Sequence, residues 1–90
     1  MSGQTHLILH TTVGNQADAQ TLASLAIEHQ LAACVHIEAI QSVYRWQGEI
    51  EHQAEWSCKI KSCHPLAAQL IAFIAEHHPY EVPEILVHRV

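Results

Sequence analysis

The stretch ACVHIEAIQSVYRWQGEIEHQAEWSCKIK, residues 33–61, decides the fold. Its second half alternates cleanly. Ile50, His52, Ala54, Trp56, Cys58 and Ile60 share one parity; Glu49, Glu51, Gln53, Glu55, Ser57, Lys59 and Lys61 share the other. Period two with one mostly apolar face and one polar face marks a half-buried strand. Gln47-Gly48 is a turn candidate. The first half, from Ala33 to Trp46, also has period two, but its phase changes. Val35 and Ile37 mark one face, whereas Ile40, Tyr44 and Trp46 fall on the opposite parity. Such a shift predicts a bulge or bend near Ala39. Strands of about fourteen residues reach ~45 Å. A globule of this chain length is roughly 30 Å across. The hairpin must therefore overhang its own domain, bend strongly, or lie against another subunit. An overhang would expose Tyr44, Trp46 and Trp56 together with unpaired strand edges. Oligomerisation is the simplest solution.

Outward from the hairpin, His6 to Val13 is rich in Leu, Ile, Val and Thr and stops at Gly14, which reads as a buried strand. Asn15 suits an N-cap, with Asp18 supplying a capping-box-like acid. Leu22, Leu25, Ala26 and His29 follow helical spacing, predicting a helix from about Gln16 to Gln30. Pro65 suits the first position of a second helix, whose buried stripe is Leu66, Leu70, Phe73 and Ile74. Pro79 ends that helix. In the loop HHPYEVPE, Pro79 and Pro83 fix φ and restrict the residues before them. Glu84 to Val90 reads as a last strand. The order β-α-β-β-α-β is the ferredoxin-like arrangement, an α+β fold with both helices on one face of an antiparallel sheet.

Composition bounds the function. Ninety residues make one domain, 1–90. With 49% hydrophobic and only 14% charged residues, the chain is globular and short of the surface charge that keeps small domains apart. The net charge of −5, with Arg45, Lys59, Lys61 and Arg89 the only permanent cations, argues against nucleic acid as a partner. No signal-peptide pattern and no membrane-span-length apolar stretch is visible. Cys34, Cys58 and Cys63 form no disulfide framework and suit a reducing compartment. A cytoplasmic location is expected.

The segments LAACVHI (31–37), VYRWQGEIE (43–51), KIK (59–61) and HHPYEVPEI (77–85) resemble the CutA divalent-ion-tolerance family in order and spacing, over essentially the whole chain. The resemblance implies a tightly interlocked homotrimer built through long strands and a link to tolerance of copper and other divalent ions. It also implies copper ligation at the first-strand position, here His10, and at the pair His77 and His78. Some members carry a cysteine where this chain has His10, so a soft thiolate gives way to a borderline imidazole. Family chains usually continue beyond the last strand with a short helix, whereas this sequence stops at Val90. The trimer is also similar in architecture to PII-type signalling proteins.

The residues themselves leave the chemistry open. There is no CxxC or HExxH, and no HxxxH on a predicted helix, so no local segment encodes a metal site. His6 and His10 share a strand face but lie ~13 Å apart. Cys34 and His36 are closer neighbours on one face, although Cys34 also suits a buried small hydrophobe. His77 and His78 equally suit a helix C-terminus through its dipole, and His10 a packed place in the sheet. Tyr44, Trp46, Glu51, Lys61, Tyr80 and Glu84, with Cys34, form a second constellation. Aromatic walls with a few charges make either an inter-subunit cleft for a small ligand or anchors of the trimer itself. No nucleophile has an identifiable base and orienting group, so neither an enzyme nor an organic cofactor is expected.

Overall fold

A computed structural model describes residues 5–90. Strand β1 (His6–Val13) leads into helix α1 (Gln16–Glu28). The hairpin follows as β2 (Cys34–Trp46) and β3 (Glu49–Cys63), and helix α2 (Ala67–His77) precedes β4 (Leu86–Arg89). The strands form one antiparallel sheet in the order β2-β3-β1-β4, the ferredoxin-like topology expected from the element order.

The core lies between the sheet and both helices. Leu7, Leu9 and Val13 of β1 and Cys58 and Ile60 of β3 meet Ala19, Leu22 and Ala26 of α1 and Leu70 and Ile74 of α2. The other strand parity faces away from the helices, and it carries His10, Ser57 and Glu55. Asn15 caps α1 as its sequence position suggests: its side chain accepts from the Asp18 N–H at 2.8 Å. The helix ends at Glu28, two residues short of the expectation, because Gln30 takes a left-handed φ of 58° that no helix can include. Pro65 sits in a 3-10 turn, His64–Leu66, that leads into α2 instead of opening the α-helix itself. The last strand, Leu86–Arg89, is shorter than Glu84 to Val90; the Glu84 carbonyl accepts from the Thr11 side chain instead of joining the ladder.

The expected bulge near Ala39 is absent. Pairing runs without a break from Cys34↔Lys61 through Ala39↔Trp56 to Trp46↔Glu49. The phase change has another cause. Beside β3, strand β1 ends at the pair Val13↔Trp56, so beyond Ala39 the hairpin continues as a two-stranded ribbon with no helix beneath it. Val35 and Ile37 pack on the helix-covered core; the ribbon residues have no such core to choose a face. Its tip turns through Gln47 and Gly48, with φ of 50° and 81°, as the left-handed pair of a tight hairpin requires. The overhang makes the chain 46 Å long against 24 and 21 Å in the other directions. Val43 and Ile50 on one ribbon face and Tyr44 and Trp46 on the other are 42–64% exposed.

Candidate functional site

Where the ribbon leaves the body, a buried carboxylate ties it to the segment between α2 and β4. Glu55 of β3 is only 8% exposed. The Ser42 hydroxyl of β2 donates to its Oε1, and the Tyr80 hydroxyl donates to its Oε2 at 2.7 Å. Burial pushes the Glu55 carboxyl up. Hydrogen bonds from Ser42, Tyr80 and Thr12 outweigh that and hold it below the usual carboxylate range, and His78 adds to this only when protonated. Burial first, then the bond to Glu55 and its charge, push the Tyr80 phenol up to about 12, so it remains a donor.

The same segment is pinned at two further points. The Thr11 hydroxyl donates to the Glu84 carbonyl at 2.6 Å. His78 Nε2–H donates to the Thr12 carbonyl at 2.9 Å and lies 3.0 Å from Thr11 Oγ1, while its Nδ1 accepts from the Tyr80 N–H at 3.0 Å. The carbonyl can only accept and the amide can only donate, so this arrangement fixes a neutral tautomer with both nitrogens engaged. Burial, opposed by the Thr12 bond and the charges of Asp18 and Glu55, holds His78 below the ordinary histidine range.

Pinned in this way, Glu84 presents its Oε1 to His10 Nδ1 at 3.7 Å, and His10 Nε2 lies 2.8 Å from Ser57 Oγ. Two ligand atoms each about 2.0–2.2 Å from a zinc-sized cation stand at most ~4 Å apart. The pair therefore fits shared ligation of one divalent ion. It supplies two donors, and among the described residues no three His, Cys, Asp or Glu side chains gather into a metal-holding group.

The sequence-derived candidates divide by position. His77 donates from Nδ1 to the Phe73 carbonyl at 2.9 Å and stacks on the Phe73 ring, which leaves Nε2 as its free nitrogen. His78 turns inward to Thr11 and Thr12. His10 projects from the opposite sheet face to Thr11, so His10, His77 and His78 do not converge within one protomer. Of the cleft residues, Tyr44, Trp46, Glu51, Tyr80 and Glu84 line one groove of about 860 Å³, beside His10 and Glu55. Cys34 and Lys61 pair across the hairpin base and line a separate pocket of about 350 Å³. The residues missed from sequence are Ser42, Glu55 and Ser57. Strict alternation assigns Glu55 and Ser57 to a solvated face, whereas both are buried. Tyr80 of the segment after α2 lies against Glu55 and His10 of β1 against Ser57, and neither partner is written in the hairpin.

These features define a class: a ferredoxin-like protomer with an overhanging hairpin and a His–Glu pair suited to a cation. Residues 7–90 match the family model described as CutA1 divalent ion tolerance protein. A relative from Yersinia pestis (strain Pestoides F), the divalent-cation tolerance protein CutA, is 35% identical over 82 residues, covering 90% of this chain and 69% of the relative. The structure of CutA from Synechococcus elongatus PCC7942 superposes with a TM-score of 0.94 at 39% identity, covering 100% of this chain and 80% of that one. The periplasmic divalent cation tolerance protein CutA from Archaeoglobus fulgidus superposes at 0.89 with 28% identity, covering 94% and 83%. The chain belongs to the CutA1 divalent ion tolerance family. No helix among the described residues is long and apolar enough to cross a membrane.

The buried neutral His78 sets an acid limit. Unfolded, it titrates near 6.5, and in the fold it titrates lower. Between those values the unfolded chain holds a proton that the fold excludes, so stability is full above pH 6.5 and declines as pH falls. Glu55 adds a second decline below about 4.5, because its folded value is also depressed. Denaturant unfolding across pH should show both phases. His78→Gln should flatten the upper phase and leave the lower one, while an unchanged slope between pH 6.5 and 5 would contradict the assignment.

Proposed function

We propose that the chain is a non-enzymatic homotrimer of divalent-metal tolerance that binds copper(II). The observation that carries the cation reading is the facing pair His10 and Glu84, 3.7 Å apart beside the groove. Imidazole suits copper, and copper stands highest in the first-row divalent series. His10 and Glu84 are the protomer's own ligands, and further donors come from a neighbouring subunit or from His77. His78 would first have to release Tyr80. One domain spanning the chain, placed in the cytoplasm, fits three cysteines that remain free thiols. No nucleic acid, membrane or organic cofactor is part of this reading.

Assembly is supported by the ribbon. Trp46 is 60% exposed and Ile50 64% exposed, on opposite faces of a two-stranded extension. An isolated two-stranded hairpin is marginal in water, and apolar patches of this kind mark interaction surfaces. A PII-like signalling trimer is the second reading, favoured by the groove walled by Tyr44, Trp46 and Tyr80. In that case a small metabolite occupies the groove, and the trimer remains the working unit.

Light scattering coupled to size exclusion at micromolar concentration should return a trimer; a clean monomer would sink the assembly. Trp46→Ala should weaken the trimer, since a buried interface aromatic contributes about 2 kcal/mol or more. A trimer that persists in this variant while metabolite binding is lost would favour the second reading.

Titration calorimetry should show copper(II) binding more tightly than magnesium or calcium, and weakening under acid conditions, because the ligands must be deprotonated. His10→Ala should abolish the site, and the His77→Ala/His78→Ala pair should weaken it less. Unchanged copper affinity and stoichiometry in His10→Ala would remove the site and point to adventitious binding.

A further inference from the structure

We propose that Ser57 and Glu55, alternate residues on one face of β3, are the positioning residues of the cation site. Ser57 anchors the ring of His10, and Glu55 anchors the segment that carries Glu84. The inference rests on the His10–Glu84 reading above and adds the groups that aim those two ligands.

On their face of β3, Glu55 and Ser57 are the buried polar residues, Cys63 being the buried apolar one. Along the parity of β3 that faces away from the helices, Glu51, Gln53 and Lys59 are exposed, while Glu55 and Ser57 are 8% and 3% exposed. A charged carboxylate and a hydroxyl are costly to bury unless they are bonded. Both are bonded: Ser57 to His10 itself, and Glu55 to Tyr80 of the segment that carries Glu84 as well as to Ser42 of the ribbon. Ser57 Oγ holds His10 Nε2 at 2.8 Å and thereby leaves Nδ1 directed at Glu84. A cation on Nδ1 requires the ring proton on Nε2, where Ser57 Oγ accepts it. Without the cation, the same hydroxyl can donate instead. Ser57 therefore serves His10 in either tautomer without losing the bond. Ligating histidines commonly have their second nitrogen held in this manner.

Glu55 acts through a longer chain. It receives Tyr80 on one oxygen and Ser42 on the other, which fixes the intervening segment against the base of the ribbon. Pro83 restricts the backbone immediately before Glu84, and Thr11 holds the Glu84 carbonyl. The carboxylate that meets His10 is therefore placed by two contacts and one backbone restriction, the Glu55–Tyr80 bond being the contact on the groove side. Neither Ser57 nor Glu55 ligates the ion.

The test uses the full chain, with copper(II) titration calorimetry, thermal melting, and nitrogen NMR of the His10 ring in the metal-free and zinc-loaded protein. Ser57→Ala should weaken copper binding about tenfold or more and alter the His10 ring-nitrogen signature, while Ser57→Thr should restore both. Glu55→Ala and Tyr80→Phe should each weaken binding, and the double variant should be no weaker than the worse single one, because each removes the Glu55–Tyr80 bond. Ser57→Ala and Ser57→Thr binding alike, or Glu55→Ala binding as tightly as the wild type while His10→Ala does not bind, would overturn the proposal. Copper binding that survives His10→Ala would overturn the cation reading and the positioning role toward it. The metal-free ring signature separately shows whether Ser57 pins His10. Affinity losses that track melting temperature and show no Ser57→Thr rescue would reduce both residues to structural ones and contradict the inference.

Discussion

Everything in this protomer follows from a mismatch of lengths. The β2–β3 hairpin is longer than the body that can cover it: β1 leaves the sheet at Val13↔Trp56 while the hairpin pairs on to Trp46↔Glu49. On the covered part, the helices enforce one buried parity, and Cys58 and Ile60 lie at 0% exposure. On the uncovered part no helix chooses a face, so apolar residues occupy both. A soluble monomer would gain nothing from Val43, Trp46 and Ile50 on such an extension. Subunits laid against it gain apolar burial, roughly 25 cal/mol for each Å² removed from water.

The junction between body and ribbon is where the polar chemistry collects. Glu55, Ser57 and the segment from His78 to Glu84 meet there because the edge of the core leaves room for a loop to cross the sheet. Their hydrogen bonds offset the cost of burying a carboxylate and an imidazole. The same contacts turn Glu84 toward His10. The proposed cation site and the proposed assembly surface are therefore neighbours on one groove, with Tyr44 and Trp46 at its outer end and His10 at its inner end. A ligand in that groove touches residues that the proposed trimer also uses. This gives a physical route by which metal and subunit association influence one another.

Much of the fold was legible in the sequence. The alternation from Ile50 to Ile60, the turn at Gln47-Gly48 and the Asn15 cap each rest on local rules, and local rules held there. The phase change after Ala39 was legible too, but its cause was not. A bulge and the end of a supporting layer give the same pattern, and only the extent of β1 separates them. Within the groove, Tyr44, Trp46, Glu51, Tyr80 and Glu84 carried a signal because they are aromatic or charged in a family-like segment. Glu55 and Ser57 carried none, since their partners, Tyr80 and His10, come from more than twenty positions away. His77 and His78 are adjacent in sequence, but the end of α2 at His77 sends their rings to different partners.

The central claim is that the overhanging ribbon is completed by other copies of the chain and that the cation site belongs to that assembly. Native mass spectrometry with and without added copper tests it most directly, because subunit number and bound mass are read together. The account predicts a dominant species of three chain masses that takes up one copper per subunit, with uptake lost in His10→Ala. A single-chain species, or a trimer whose copper load is the same in His10→Ala, would contradict it.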